Sequence, residues 1–250
     1  MIYLDNGATT KVKPEVVEAM MPYLTEQYYN PSSLYSPATK VKEDIERARK
    51  IVGDFIGASG DEIYFCSGGS EANCLAISGF CHRHNLLYNV KPVIITSTIE
   101  HKSVIECVKN MIADVYYIGV DDNGLIKLGD FAELLTNICL CGKPLLVSLQ
   151  LANNEVGTIQ RIKVVSEMLN QIGGLLHVDA VQCVGQIPID VNELGVDMLS
   201  ASGHKLYAPK GSGFLYKRKG VEISPLIYGN QMDGLRAGTE NVVGIMGLAK

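Results

Sequence analysis

The chain reads LLHVDAVQ at residues 175–182 and DMLSASGHK at residues 197–205. Each stretch is a short apolar run that ends abruptly in polar side chains. Leu175–Val178 gives way to Asp179, with Gln182 just beyond, and Asp197–Ala201 gives way to Ser202, Gly203, His204 and Lys205. Continuous apolar runs of this length between helical stretches read as strands buried on both faces. Three more runs repeat the pattern. Glu62–Cys66 leads into Ser67-Gly68-Gly69-Ser70-Glu71, Pro92–Thr96 into Glu100-His101-Lys102, and Leu145–Leu149 into Asn153-Asn154-Glu155. Helical stretches at Glu71–His82, Lys102–Met111 and Ile162–Ile172 alternate with them, and Gly213–Tyr216 adds a further strand. The rhythm predicts an α/β fold with a mostly parallel central sheet flanked by helices. Ligands of such sheets sit at the carboxyl ends of the strands. Parallel strands would therefore turn all five polar clusters toward one crevice.

Upstream, Val16, Val17, Met20, Met21 and Leu24 recur at helical spacing behind Pro14, which suits a first helical turn. The turn-rich Asn30-Pro31-Ser32-Ser33 follows, then a helix with Val41, Ile45, Ala48, Val52 and Phe55 on one face, ending at Gly57. No repeat, low-complexity tract or linker interrupts the chain. With 250 residues, 47% of them hydrophobic, the sequence can build one large domain with a substantial core. A net charge of -5 leaves no surplus of base for a nucleic-acid backbone, and Lys217-Arg218-Lys219 reads as a solvated turn. No apolar stretch is long enough to span a bilayer. The opening Met1-Ile2-Tyr3-Leu4-Asp5-Asn6 lacks the basic-then-apolar order of a secretory signal. Seven scattered cysteines, an odd number, fit buried thiols in a reducing, cytoplasmic compartment. Cys139-Leu140-Cys141 has no second pair at zinc spacing, and Cys81-His82-Arg83-His84 suits a helix end, so no metal is expected.

The clusters carry a coherent chemistry. Ser67-Gly68-Gly69-Ser70 before a helix is a plausible phosphate cup, because glycines let backbone N–H groups approach an anion at the positive end of the helix dipole. Ser70 as a simple helix cap is the alternative. A dinucleotide site fares poorly, since G-x-G-x-x-G is missing there. Asp179 ends a very apolar strand, where a carboxylate needs a partner. It is either a satisfied structural aspartate or the partner of a protonated ring nitrogen, as in pyridoxal-phosphate (PLP) enzymes. Lys205 is either a surface lysine lying over the sheet end or an amine that loses its proton and forms a Schiff base. His101 is either an orienting histidine or a ring that stacks on a flat ligand. Asn154 and Gln182 either bond to loop backbone or tune a phenolic oxygen.

Together the motifs resemble the cysteine desulfurases of the class V aminotransferase group, PLP enzymes of fold-type I. The matching segments are Tyr3-Leu4-Asp5-Asn6-Gly7-Ala8-Thr9-Thr10, Asn30-Pro31-Ser32-Ser33, Ser67-Gly68-Gly69-Ser70-Glu71-Ala72-Asn73, Glu100-His101-Lys102 and Asn153-Asn154-Glu155-Val156-Gly157-Thr158. They continue with His177-Val178-Asp179-Ala180-Val181-Gln182, Ser202-Gly203-His204-Lys205 and Arg236-Ala237-Gly238-Thr239-Glu240-Asn241, in the family's order. The resemblance implies a PLP-binding large domain over residues 15–250, with residues 1–14 packing against a small domain.

It also implies roles. Lys205 would hold the cofactor and move substrate protons, and His101 would stack on its ring and assist acid–base steps. Asp179 would pair with the ring nitrogen, Gln182 would contact the phenolic oxygen, and Asn154 the cofactor or substrate. Ser70, Ser202 and His204 would bind the phosphate with the Gly69 backbone. Thr239 would reach the phosphate of a neighbouring subunit, which implies a homodimer. The implied reaction converts L-cysteine to L-alanine and an enzyme persulfide, handed to a sulfur-acceptor or scaffold protein for iron–sulfur clusters or thiolation. Family members continue past the Thr239 motif into the small domain, which carries the persulfide-forming cysteine and an arginine for the substrate carboxylate. No cysteine of this chain matches that nucleophile. The chain is thus expected to be a truncated or inactive form, with a loosely held opening segment. Selenocysteine lyase, aminotransferase or epimerase chemistry, or a non-catalytic binding protein on the same fold, are the alternatives.

Overall fold

The computed structural model describes residues 2–139 and 141–250. Met1 of the opening segment and Leu140 of the C-x-C lie outside them. Seven strands form one sheet in the order β1-β7-β6-β5-β4-β2-β3. They are β1 (Ile63–Cys66), β2 (Val93–Ser97), β3 (Asp114–Ile118), β4 (Leu145–Gln150), β5 (Leu175–Asp179), β6 (Met198–Ser202) and β7 (Gly213–Lys217). The neighbours from β3 through β2, β4 and β5 to β6 pair in parallel. β7 is antiparallel to both β6 and β1, so β1 runs in the same direction as the parallel set. Every residue of β1, β2, β4 and β6 is buried, as two-sided coverage requires of such apolar runs.

The covering helices are α1 (Pro14–Met20), α2 (Pro22–Thr25), α3 (Ser36–Phe55), α4 (Gly69–His82), α5 (Lys102–Lys109), α6 (Leu128–Cys139), α7 (Ile162–Asn170), α8 (Val191–Leu194) and α9 (Val242–Ala249). α3 buries Val41, Ile45, Ala48 and Val52 at helical spacing. α4 crosses the sheet with most of its residues buried and brings Gly69, Ser70 and Asn73 to the carboxyl ends of the strands.

Several expectations need correction. The helix read behind Pro14 is two helices, because Pro22 begins a new one and cannot supply the N–H that would continue the first. Val17, Met21 and Leu24 are exposed rather than part of a buried face, and Phe55 is 61% exposed at the end of α3. Lys217-Arg218-Lys219 is not simply a solvated turn. Lys217 ends β7 and donates to the Val221 carbonyl, while the Arg218 guanidinium donates to the carbonyls of Val191 and Val196. Two elements go beyond the sequence expectations. β3 is an edge strand whose Tyr116 and Tyr117 are both exposed, so burial leaves no apolar run to read. α6 did carry a signal, with Phe131, Leu135 and Ile138 one helical face apart.

One polar ladder crosses the core. The His177 ring on β5 lies 2.9 Å from both the Ser148 hydroxyl on β4 and the Ser200 hydroxyl on β6. Burial lowers its pKa to about 3, so the ring is neutral and its two nitrogens are both partnered. Gly213 sets how closely β7 approaches the cup. A Cβ there would stand 2.6 Å from the Ala201 carbonyl oxygen and 2.7 Å from the Gly68 Cα, both backbone atoms. Gly213→Ala is therefore expected to destabilise the protein by about 1–3 kcal/mol. Urea unfolding checks this, and an unchanged midpoint would refute the close approach.

Candidate functional site

The carboxyl ends of β2, β4, β5 and β6, the start of α4 and the opening segment enclose a cavity of about 480 Å³. Its walls include Gly69, Ser70, His101, Asn154, Asp179, Gln182, Ser202, His204 and Lys205. These are nine of the ten residues that the sequence singled out. Thr239 is the exception. It is exposed and lines a separate cavity of about 170 Å³ with Ser67, Gly213 and Arg236.

The cup is built by close packing. Gly68 caps α4, and no side chain caps its first turn, so Ser70 sits inside the turn as an exposed hydroxyl and is not the cap. A Cβ on Gly69 would meet Val181 Cγ2 at 2.4 Å, so only glycine lets the turn lie against the β5 loop. A brace that sequence reasoning missed holds the approach loop. Glu71 accepts from the Ser67 N–H at 2.7 Å and from Arg236 Nε at 2.8 Å. Burial pushes the Glu71 carboxyl up, but the Arg236 and Ser67 bonds outweigh it and hold the group below its ordinary range.

At the other end, Asp179 is buried and held on both oxygens. Oδ1 accepts from the Val181 N–H at 3.0 Å and Oδ2 from Asn73 Nδ2 at 2.7 Å. Burial still raises its pKa, opposed by those bonds and by the charges of His101 and Lys205. Asn73 also donates to the Ser103 hydroxyl at 2.9 Å, and that hydroxyl lies 2.7 Å from His101 Nδ1. His101 caps α5, its Nδ1 accepting from the Ser103 N–H at 3.1 Å. With Nδ1 accepting, Nε2 is the ring nitrogen left to donate. One chain of polar contacts, His101–Ser103–Asn73–Asp179, runs along the wall. Asn73 and Ser103 line the cavity too, and the sequence signal for Asn73 was an amide on an otherwise apolar helix face.

The Lys205 amine donates to the backbone carbonyls of Gly7 and of Ala8, the latter at 3.0 Å. Burial lowers its pKa, opposed by the charges of Asp5 and Asp179. Gln182 donates to the same Gly7 carbonyl at 3.3 Å. Thr10 is buried, and both its backbone N–H and its hydroxyl donate to the His204 carbonyl at 2.8 and 2.9 Å. The Asn153-Asn154 pair divides its work. Asn153 is buried and accepts from the N–H groups of Glu155 and Val156, whereas Asn154 is exposed on the cavity wall.

The model for the family described as aminotransferase class-V matches residues 2–250. The chain belongs to the aminotransferase class-V family. Within that family it is 44% identical over 255 residues to a cysteine desulfurase IscS of Methanosarcina thermophila, covering 100% of this chain and 61% of that protein. A cysteine desulfurase IscS of Dictyoglomus turgidum is also 44% identical, over 100% of this chain and 62% of its own length. The chain therefore spans about three fifths of the curated class-V relatives it matches. Among solved structures, one described as SspA in complex with cysteine superposes with a TM-score of 0.93 at 37% identity, over 100% of this chain and 71% of that one. A NifS-like protein superposes with a TM-score of 0.91 at 39% identity, over 99% and 67% of the respective chains. The seven-stranded, mostly parallel sheet flanked by helices thus matches the fold of these class-V neighbours.

Glu100 stands behind this class-V site. It is buried, its Oε1 accepts from the Ser97 hydroxyl at 2.5 Å, and its Oε2 has no partner among the described residues. Burial, reinforced by Asp179, pushes its carboxyl up from 4.5 to about 8. The unfolded chain ionises this group near 4.5 while the folded chain keeps its proton. Its stabilising contribution is therefore complete below pH 4.5 and fades as pH rises through 8. Glu100→Gln removes the titration. The stability of the wild type relative to this variant should fall between pH 4.5 and pH 8, read from urea midpoints. An identical gap at both pH values would show that Glu100 does not titrate in this window.

Proposed function

We propose that this chain is the cofactor-holding body of a PLP-dependent cysteine desulfurase, which takes sulfur from L-cysteine and leaves L-alanine. The observation that carries the reading is one cavity with a depressed amine, Lys205, and a buried carboxylate, Asp179, on its walls. The donor set fits PLP. The Gly69 turn with Ser70, Ser202 and His204 suits a phosphate at a helix start. The Asp179 carboxylate, strained toward protonation by burial, suits a protonated ring nitrogen. When bound, PLP supplies an electron sink for negative charge developing at the substrate α-carbon.

The chain's own residues do the rest. Lys205 holds the cofactor through its amine, and the burial that depresses its pKa keeps that amine nucleophilic and able to carry a proton. Asn73 and the Val181 N–H fix the direction of the Asp179 carboxylate. His101 is held by Ser103 with Nε2 as the donor, an orientation suited to stacking and to acid–base work on the substrate. Asn154 and Gln182 supply amides for the phenolic oxygen and the substrate. Among the described residues no cysteine lines the cavity. Burial raises Cys81 and Cys183 to about 12, far from a nucleophile's range. The thiol that accepts sulfur therefore reaches the cavity from another segment or another chain. The separate position of Thr239 supports a homodimer in which Thr239 serves the neighbour's phosphate. We further infer a cytoplasmic protein with a sulfur-acceptor or scaffold partner. No helix among the described residues is long and apolar enough to cross a membrane.

Adding PLP to the purified chain should produce a visible absorbance band, and borohydride should fix the cofactor on Lys205, located by peptide mapping. Lys205→Ala should abolish the fixed adduct, and Asp179→Asn should weaken PLP binding at least tenfold, the counterpart of losing about 1.4 kcal/mol. Attachment elsewhere, or none, would overturn the cofactor reading. Alanine formation from cysteine by the chain supplemented with its sulfur-accepting partner separates desulfuration from transamination, which would instead yield a keto acid.

A further inference from the structure

The helical turn that carries Lys205 is only three residues long, Gly203–Lys205, and it follows directly on β6. The chain beyond it supplies two bonds, from the Leu206 and Ala208 N–H groups to the Gly203 carbonyl, both at 3.0 Å. A single turn fixes several dihedrals for few hydrogen bonds, so it needs outside support to hold one geometry. Two residues past the lysine, Tyr207 takes a left-handed backbone with φ at 65°. A tyrosine in that region is strained and stays there only where its surroundings hold it.

The support comes from the opening segment, and its centre is one hydroxyl. Thr10 Oγ1 donates to the His204 carbonyl at 2.9 Å and accepts from the Tyr207 N–H at 2.8 Å. The Thr10 N–H adds a second bond to the same carbonyl at 2.8 Å. The His204 carbonyl belongs to the peptide unit that enters Lys205, and the Tyr207 N–H to the one that leaves Leu206. The hydroxyl therefore bridges the backbone on both sides of the lysine, with its single proton committed to one of those bonds. Thr10 is buried and does not itself line the cavity. Lys13 closes the far side of Tyr207. Its N–H donates to the Tyr207 carbonyl at 3.2 Å, and its amine stands 5.0 Å from the ring centroid.

We propose that Thr10 is the positioning residue of Lys205, its buried hydroxyl setting the direction in which the amine enters the cavity. The inference rests on the cofactor reading given above for Lys205. Valine has nearly the shape of threonine but no hydroxyl. Thr10→Val leaves the Tyr207 N–H without its partner and ties the turn only through the Thr10 N–H. The strained residue is then free to relax, and the lysine beside it turns with the backbone. The cup at Gly69 and the Asp179 carboxylate are built from α4 and β5, which Thr10 does not touch. Loss of the hydroxyl therefore acts on the amine and spares the rest of the site.

Two ligands separate these effects in the full chain. PLP can bond to the amine, whereas deoxypyridoxine phosphate, with a methyl group in place of the aldehyde, can occupy only the cup and the ring site. Thr10→Val should weaken PLP binding at least about tenfold and leave the analogue within about twofold of wild type. Thr10→Ser, which keeps the hydroxyl, should match wild type with both. Equal weakening of both ligands by Thr10→Val would show a merely structural role, and unchanged PLP binding would show none; either overturns the inference while the cofactor reading stands. A wild type that takes up neither ligand overturns the cofactor reading and this inference with it. Hydrogen exchange of the wild type needs no variant to fold. The Tyr207 amide, held by Thr10, should exchange slowly, and rapid exchange would remove the bridge on which the inference stands.

Discussion

A carboxylate taken out of water at the end of a strand sets the terms for everything around it. Asp179 closes β5 where the neighbouring strands β4 and β6 are buried on both faces, and a charge in that position needs partners on every side. The Val181 N–H and the Asn73 amide supply two of them, yet burial still pushes the group toward its neutral form. An aspartate kept only for packing would be satisfied by those two bonds and closed off from the cavity. This one lines it, with Lys205 and His101 contributing the opposing charge. The wall is therefore arranged so that a cationic group entering the cavity relieves the strain on the carboxylate.

The amine faces the reverse problem. Burial disfavours the charged form of Lys205, while Asp5 and Asp179 favour it. Its partners are backbone carbonyls of Gly7 and Ala8, and the same segment is fastened to the Lys205 turn through Thr10 and His204. Carbonyls are weaker partners than carboxylates, so the amine is held in place without being locked into an ion pair. On the proposed reading, such an amine is free to exchange its partner for an incoming carbonyl carbon.

Supporting contacts sit behind both groups. Ser103 orients His101 and receives Asn73, and Arg236 with Glu71 steadies the loop that enters the cup. Only Asn73, an amide on an otherwise apolar helix face, leaves a trace of its role in the sequence. Asn73 lies on a helix that reads as packing, Ser103 follows a cap, and Arg236 belongs to a motif more than 160 residues away from Glu71. Their roles come from side chains meeting across elements, which no local pattern encodes.

Much of the architecture was legible from the chain alone. Apolar runs ending in polar clusters marked β1, β2, β4, β5 and β6, because a strand covered on both faces must be apolar along its length and can become polar only where the sheet ends. The polar clusters at the strand ends placed nine residues in one crevice. Local pattern could not report exposure, so Phe55, Val17 and Leu24 read as core while standing in solvent, and the edge strand β3 went unread. Only the tertiary structure decided that β7 runs against its neighbours, that Ser70 is not a helix cap, and that Asn154 rather than Asn153 faces the cavity. The physical reason is that periodicity records whether a residue is buried, whereas the identity of its neighbours depends on strand order and helix packing between segments far apart in the chain.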